Sequence, residues 1–222
     1  PCHDHNEGAA AERLLRAVAE GKSVAYASEA GTPLVSDPGF VVAREAVAQG
    51  VPVIAAPGAS AVLCALAVAG LPSDRFFFAG FSPAAGQARR TFLQDLATVQ
   101  ATLILYESPK RLAALMEDLV GVMGAGRRAA VCRELTKRFE EVLRGTLGDL
   151  AQQLSEREVK GEIVVLIDRA DPAQADSATW EEALVQAMKT LSVKDAAAMI
   201  SQAYSLPRRD VYQVALAKVS GR

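Results

Sequence analysis

The chain has 222 residues, of which 50% are apolar and 23% charged, and its formal net charge is −2. This composition is typical of a folded globular protein, and the slight acidity argues against broad non-specific affinity for nucleic acids. The apolar runs end before the length of a membrane-spanning helix, no signal-peptide pattern opens the chain, and the three cysteines lack CxxC spacing, so we expect a cytoplasmic protein with no membrane contact.

The first part of the chain predicts a βαβ unit. Two apolar segments, Ser23–Ala27 and Val51–Ala56, are typical of strands, and an amphipathic helix over Phe40–Gln49 joins them. Each predicted strand leads into a loop rich in turn residues, Ser28–Gly39 and Pro57–Ser60. Because open α/β sheets bind ligands at the carboxyl ends of parallel strands, we expect these loops to form the walls of a pocket. Plain tight turns are the alternative.

The rest of the pattern predicts more α/β structure and a helical tail. Strands are expected at Arg75–Phe81, Thr102–Tyr106, Ala129–Glu134, Glu141–Arg144 and Gly161–Asp168, the fourth at an edge and the last central. Helices are expected at about 7–20, 60–69, 87–97, from Glu107–Arg111 to Met123, and 147–155. A polar linker, Arg169–Ala178, precedes three helical patterns at about 179–190, 193–203 and 208–219, joined at Ser205–Pro207 in a way that resembles a helix-turn-helix. A capping tail is the alternative to nucleic-acid contact.

The residues of the two loops favour a small ligand without phosphates. Gly31 and Gly58 allow the backbone to approach a ligand closely, and Thr32 and Ser60 supply hydroxyl groups. Neither loop has the GxGxxG or Walker A pattern that binds phosphates. Neutral donors and carbonyl groups suit a nucleoside or an amino-acid moiety better.

Charged residues follow two other predicted strands. Glu107 and Arg111 come after the strand at 102–106, and Arg133, Glu134 and Lys137 lie at the end of the strand at 129–134. Such groups could orient a substrate hydroxyl or an unstacked nucleotide. Equally, Glu107 and Arg111 have the spacing of an ion pair on the first turn of a helix.

Metal chemistry and histidine catalysis are not expected. His3, Asp4 and His5 superficially suggest metal ligands, but no second cluster accompanies them. These are also the only histidines, so no Ser-His-Asp set can be assembled.

Five motifs in order carry a resemblance to a known family. They are SEAGTPLVSDPG, PGASAVLCALAVAGLPSDRFFFAGF, LILYESPKR, CRELTKRFEEV and KGEIVVLID. Together they resemble the tetrapyrrole-methylase-type (class III) S-adenosylmethionine-dependent methyltransferases, and within them the bacterial 16S ribosomal RNA cytidine 2′-O-methyltransferases. The similarity spans about His3 to Asp168, and the tail is also similar.

The resemblance implies an α/β fold of two domains, with the methyl donor in the cleft between them. The domains would be 1–73 and 74–170, followed by a small helical tail over 171–222 that resembles a helix-turn-helix. The family begins with strands and a Pro-rich loop that do not occur here, so the comparison implies that the first strands are missing and that the chain is a fragment.

The resemblance also implies roles for individual residues. The donor, S-adenosyl-L-methionine, would be bound by residues of both loops, of the strand at 102–106 and of the last strand, namely Gly31, Thr32, Pro33, Pro57, Gly58, Ala59, Ser60, Ala61, Tyr106, Leu135, Gly161, Glu162, Ile163 and Val164. Residues facing the cleft would handle the substrate, with Glu107, Glu134 and Arg111 catalytic and Ser108, Arg133 and Lys137 binding it.

The implied function is methyl transfer to the ribose 2′-hydroxyl of a cytidine in 16S ribosomal RNA of the small ribosomal subunit, by an enzyme that forms a homodimer and needs no metal. A methyltransferase of the same fold that acts on a tetrapyrrole, a corrinoid or another small molecule is the first alternative. A non-enzymatic ligand-binding or assembly protein is the second.

Overall fold

The computed structural model describes residues 2–3, 6–170, 177–189, 191–204 and 206–220, except for the side chains of residues 177–179 and 220. The chain divides into two compact units, Pro1–Arg169 and Ala170–Arg222. The predicted boundary between residues 73 and 74 falls inside the first unit and stays a prediction. The elements of the first unit are α1 (Glu7–Ala19), α2 (Phe40–Ala48), α3 (Ala61–Ala69), β1 (Phe76–Phe81), α4 (Gly86–Ala97), β2 (Thr102–Glu107), α5 (Pro109–Met123), β3 (Arg128–Arg133), β4 (Glu141–Thr146), α6 (Leu147–Ser155) and β5 (Ile163–Ile167).

The five strands form one mixed sheet in the order β1-β2-β5-β3-β4. β1 runs parallel to β2, whereas β5 is antiparallel to both β2 and β3, and β4 is antiparallel to β3. The predictions of a central last strand and of an edge strand near residue 141 agree with this order. All residues of β5 are buried, because the strand is paired on both sides and covered on both faces.

Alternating side chains of the sheet pack into two layers of core. Leu103, Leu105 and Val165 face one side, where they contact the buried leucines of α4, α5 and α6. Ile104 and Leu166 face the other side, where they contact α3. This alternation explains why the apolar runs of β2 and β5 are continuous, since both of their faces are removed from water.

Two arginines of the sheet hold the carboxyl end of α3. Arg144 donates from Nε and Nη2 to the carbonyl oxygen of Val68 at 3.0 and 2.5 Å, and Arg128 donates to that of Gly70 at 2.9 Å. The last carbonyl groups of a helix lack partners within the helix, so cations placed there satisfy them and favour the helix dipole.

The side chain of Glu7 in α1 forms hydrogen bonds with the first turn of α2. Glu7 accepts hydrogen bonds from the backbone N–H groups of Gly39 and Val41 at the start of α2. The first N–H groups of a helix have no carbonyl partner within it, and Glu7 supplies an acceptor for these groups of α2. Its negative charge is also favourable at the N-terminus of a helix, where the helix dipole is positive.

The predicted βαβ unit is wrong in its two strands. The helix between them is present as α2, but Ser23–Ala27 and Val51–Ala56 form no strand in the described part of the chain. Val53 and Ile54 are 55% and 90% exposed. A strand needs a neighbouring strand for its backbone hydrogen bonds, and neither segment pairs with the other or with the sheet.

The second unit contains α7 (Ser177–Ala187), α8 (Val193–Ala203) and α9 (Arg208–Ser220). They enclose a small core of their own, in which Leu184, Ile200 and Val211 are buried. Residues 171–176 of the predicted linker and Ser205 of the predicted joint lie outside the described residues. None of the helices in the described ranges is long and apolar enough to cross a membrane.

Candidate active site

A cavity of about 400 Å³ opens in the first unit at the end of the sheet where β2 finishes and β5 begins. Its walls come from the loop after residue 28, the start of α3, the ends of β1 and β2, and the segment leading into β5. The lining residues are Ala30, Gly31, Thr32, Val35, Ser36, Asp37, Ser60, Ala61, Phe81, Tyr106, Glu107, Ser108, Pro109, Gly161, Glu162, Ile163 and Val164. The strands of the predicted βαβ unit are absent, yet both of its loops contribute to this wall.

The two loops are joined by a hydrogen bond. The hydroxyl group of Thr32 donates to the carbonyl oxygen of Ala59 at 3.0 Å, across 27 residues of sequence. Leu34 and Ser36 have φ angles of 72° and 54°. These values lie in the left-handed region, which residues other than glycine rarely adopt. These φ angles are energetically unfavourable, and strained backbone of this kind is common at active sites and in ligand-binding loops.

An aromatic cluster closes the side of the cavity near the sheet. The Tyr106 ring makes edge contacts with Phe78 and Phe81, with centroids 4.9 and 5.6 Å apart. Burial raises the pKa of the Tyr106 hydroxyl, so the side chain stays neutral at physiological pH. The wall next to Tyr106 is therefore uncharged.

Glu107 is fully buried at the end of β2 and holds its neighbours in place. Its carboxylate accepts hydrogen bonds from Ser82 Oγ at 2.5 Å, from the Ser108 N–H at 2.7 Å and from Arg111 Nε at 2.6 Å. Arg111 is an ion-pair partner on the first turn of α5, with Nη2 at 2.5 Å. The structure thus contains the i,i+4 pair that the spacing indicates, and places it beside the cavity.

Glu134 occupies the rim of the cavity on the side of β5. Its carboxylate accepts from the Glu162 N–H and from Lys137 Nζ, both at 2.9 Å. The N–H of Glu162 and then the ammonium group of Lys137 lower the pKa of Glu134. A Cβ atom on Gly161 would lie 2.5 Å from the Glu134 side chain, and Gly161 has a φ of +95°, so only glycine fits beneath this carboxylate.

The structure brings most of the predicted site residues to one place. Nine of the fourteen predicted donor-binding residues line the cavity, as do Glu107 and Ser108. The remaining donor-binding predictions are not lining residues, namely Pro33, Pro57, Gly58, Ala59 and Leu135. Arg133 lies further along β3, where it bonds Glu141 Oε2 at 3.2 Å.

Sequence reasoning missed several residues of the wall. Ser36 and Asp37 belong to the loop that the turn residues indicated, but no pattern singled them out. Phe81 could have been found, because it ends a predicted strand. Ser82 does not line the cavity but contacts Glu107, and it could not have been found, because this contact joins residues 25 apart.

No grouping of three or more potential metal ligands (His, Cys, Asp or Glu) occurs among the residues that the structure describes. Of the short histidine motif, Asp4 and His5 lie outside the described residues.

Comparison with known proteins identifies the family. The family described as Tetrapyrrole (Corrin/Porphyrin) Methylases matches residues 1–151, and the RsmI C-terminal HTH domain matches residues 174–218. A ribosomal RNA small subunit methyltransferase I of Xylella fastidiosa is 43% identical over 95% of this chain and 78% of its own length. The protein of that name from Mesorhizobium japonicum is 50% identical over 78% of this chain and 59% of its own length. The chain belongs to the tetrapyrrole methylase family, in its ribosomal RNA small subunit methyltransferase I branch.

Solved structures give the same fold. The methyltransferase CobJ has a TM-score of 0.55 at 23% identity, covering 72% of this chain and 70% of its own. The uroporphyrin-III-C-methyltransferase of Thermus thermophilus has a TM-score of 0.51 at 25% identity, with 71% and 70% covered. The α/β fold of the tetrapyrrole methylases is therefore confirmed, and the chain is an enzyme whose methyl donor is S-adenosylmethionine.

The cavity fits this donor in size and charge. Its volume is within the range of small-molecule sites, which are mostly apolar with a few convergent polar groups. Asp37 places a carboxylate in its wall, which complements a ligand that carries a sulfonium and an ammonium charge, whereas Glu107 and Glu162 are already paired with Arg111 and Lys137. Thr32 and Ser60 add hydroxyl groups.

The hydrogen bonds of Glu134 lead to a prediction for acid stability. Because its pKa is lowered in the folded state, the ionised carboxylate stabilises the fold fully above about pH 4.3, the ordinary glutamate value. This stabilisation declines as the pH falls and is lost below the folded-state pKa. We expect Glu134→Gln to flatten the acid side of the stability curve, measured as urea midpoints from about pH 7 to about pH 3.

Glu117→Gln is the matched control, because Glu117 is an exposed side chain of α5 outside the cavity wall. Its curve should follow that of the wild type. Equal slopes for the wild type and Glu134→Gln would show that this carboxylate does not stabilise the fold.

Proposed function

We propose that the enzyme transfers a methyl group to the ribose 2′-hydroxyl of a cytidine in 16S ribosomal RNA, within the cytoplasmic small ribosomal subunit. The observation that carries the proposal is the cavity itself. Its wall contains residues of both Gly/Pro loops, of the end of β2 and of the start of β5. Identity of 36–50% with small subunit rRNA methyltransferases supports RNA as the substrate. The tetrapyrrole enzymes are similar in fold alone.

We propose that residues of the cavity hold the donor as the resemblance implies. Thr32 ties the first loop to Ala59, which keeps Ser60 and Ala61 opposite Gly31. Tyr106 and the segment 161–164 complete the wall on the side of the sheet. S-adenosylmethionine supplies an electrophilic methyl group. Most of the rate acceleration would come from holding the hydroxyl group in line with that methyl group.

We propose Glu107, Glu134 and Arg111 as the catalytic set. Both carboxylates already accept hydrogen bonds from several donors, and those that Glu134 accepts lower its pKa and weaken it as a base. We therefore expect proton acceptance from the hydroxyl group to contribute less than positioning. Glu107 is the better candidate, because it lines the cavity and Glu134 does not.

We propose that Ser108, Arg133 and Lys137 bind the RNA on the same side. Ser108 lines the cavity next to Glu107, and Lys137 bridges Glu134 and Glu162 at 2.9 and 3.1 Å. Arg133 contacts Glu141 at 3.2 Å, and its side chain is 21% exposed. Phosphate groups would compete with these carboxylates for the cations.

The first test is transfer of tritium from labelled S-adenosylmethionine to unmodified small ribosomal subunits by the native protein. We expect label on a single cytidine ribose. Glu107→Gln should lower kcat about 100-fold, the lower end of the range for general base catalysis. Glu117→Gln serves as control.

Two results would contradict these proposals. Label on a tetrapyrrole or corrinoid precursor and none on the subunits would return the acceptor to a small molecule. Full turnover by the double variant with glutamine at positions 107 and 134 would exclude both carboxylates as proton acceptors.

A second prediction concerns the bond between the loops. Thr32→Val keeps the shape of the side chain but loses the hydrogen bond to Ala59. We expect the dissociation constant of the donor to rise about threefold to tenfold, because one hydrogen bond contributes about 1 kcal/mol. Isothermal titration calorimetry measures it, and Thr98→Val, at an exposed helix end, is the control. An unchanged constant for Thr32→Val would mean that the bond does not shape the donor site.

We propose finally that the enzyme is a homodimer. Leu63 on α3 and Phe76 and Phe77 on the edge strand β1 are 55%, 44% and 46% exposed, which is costly for a surface that stays in water. Light scattering should give twice the chain mass. Leu63→Glu should reduce this to one chain mass, whereas Glu117→Gln should not, and a wild-type protein of one chain mass would contradict the proposal.

A further inference from the structure

The loop between β3 and β4, residues 134–140, presents an exposed aromatic side chain. Phe139 is 61% exposed, although an aromatic ring of this size is usually buried. The guanidinium carbon of Arg138 lies 5.4 Å from the centre of the ring. The guanidinium group lies over the ring, and Phe139 as a whole stays largely exposed to solvent.

The loop holds this pair in a defined conformation. The N–H groups of Lys137 and Glu140 donate to the carbonyl oxygens of Glu134 and Lys137 at 3.0 and 3.1 Å. The carboxylate of Glu140 accepts from the Thr136 N–H at 2.6 Å. Glu134 and Thr136 have positive φ angles of 51° and 64°, so the chain turns sharply at both. A rigid loop loses little entropy when a partner binds the ring.

The pair lies next to the cavity. Lys137 Nζ is 3.1 Å from Glu162 Oε2, and Glu162 is a lining residue. Phe139 follows two residues later, so its Cα is at most about 7 Å from that of Lys137. The loop that carries Phe139 is thus joined to the cavity wall through Lys137, at a separation that neighbouring nucleotides of one RNA strand can span.

Charge distinguishes Arg138 from the cations around it. Lys137 is paired with Glu134 and Glu162, and Arg133 and Arg157 are both paired with Glu141. Among the ion pairs of the described residues, none includes Arg138, which is exposed. Its guanidinium group is therefore the one on this loop that a phosphate can bind without displacing a carboxylate.

We propose that Phe139 and Arg138 form a stacking platform for an unpaired base of the RNA substrate. The inference rests on the proposed function and adds two residues to it. The base would lie on the open face of the Phe139 ring, and Arg138 would contact a neighbouring phosphate. Aromatic rings and arginine planes are the groups on which proteins stack unpaired RNA bases. A nucleotide combines a flat face with a negative charge, which matches this pair better than a peptide does.

The test compares Phe139→Leu, Phe139→Tyr and wild type in tritium transfer to unmodified small subunits. Leucine keeps the apolar character and removes the ring face, whereas tyrosine keeps the face. We expect Phe139→Leu to lower kcat/KM about tenfold, mainly through KM for the subunit, as expected for the loss of one base stack. Phe139→Tyr should stay within about twofold of wild type, and both variants should keep the donor affinity.

Phe40→Leu is the matched control. Phe40 is 62% exposed with the Arg44 guanidinium 5.7 Å from its ring centre, and it follows the lining residue Asp37 by three positions. Arg44, however, is paired with Glu45 at 2.8 Å. We expect this variant to keep wild-type kinetics. This result would show that the loss of an exposed aromatic ring near the cavity does not by itself lower activity.

A second measurement does not depend on turnover. A benzophenone photo-crosslinker placed at position 139 should label 16S RNA, and the same probe at position 40 should not. Wild-type kinetics for Phe139→Leu, or crosslinks at 139 that go to a ribosomal protein, would overturn the platform. A wild-type enzyme that leaves the subunits unlabelled would instead contradict the proposed function, so the two failures are distinct.

Discussion

The structure depends on the position of β5 between β2 and β3. The strand is buried along its whole length, and its antiparallel pairing places its first residue beside the last residues of both neighbours. Glu107 and Arg133 therefore end their strands at the same edge of the sheet, each in register with Ile163. The charged groups that follow β2 and β3 converge there because the hydrogen-bonded register pairs Ile163 with the last residue of each strand. Cavity, carboxylates and loop 134–140 all follow from that pairing.

The sheet and its helices were largely predictable because their signals are local. Thr102–Glu107 and Ile163–Ile167 are continuous apolar runs, and Thr146 has Asp149 three residues later, a spacing that the structure shows as a reciprocal cap. Ser23–Ala27 and Val51–Ala56 carry the same local signal and form no strand. Their composition indicates a preference for extended backbone. A β-strand also requires a neighbouring strand for its hydrogen bonds, and no local sequence pattern can supply one.

The candidate site was predictable in its loops and less so in its side-chain contacts. The loops that contain Gly31 and Ser60 could be recognised by their glycines and prolines. Small residues of this kind let the backbone pass close to a ligand. The contacts of Glu107 with Ser82 and of Glu134 with Gly161 join distant positions, so they emerge only from the fold. The same holds for Arg138, which has no acidic partner among the residues that the structure describes, whereas the cations around it are paired.

The two arginines at the end of α3 have a mechanical consequence. The first residues of α3 border the cavity, while Arg128 and Arg144 grip its last carbonyl groups. A nine-residue helix is about 13 Å long and stiff, so a small rotation at one end is transmitted to the other. The width of the cavity is thus governed partly by guanidinium groups at the far end of the helix, which do not line it. Sequence drift at these strand positions would change the width of the cavity from a distance, while every residue that lines it stays the same.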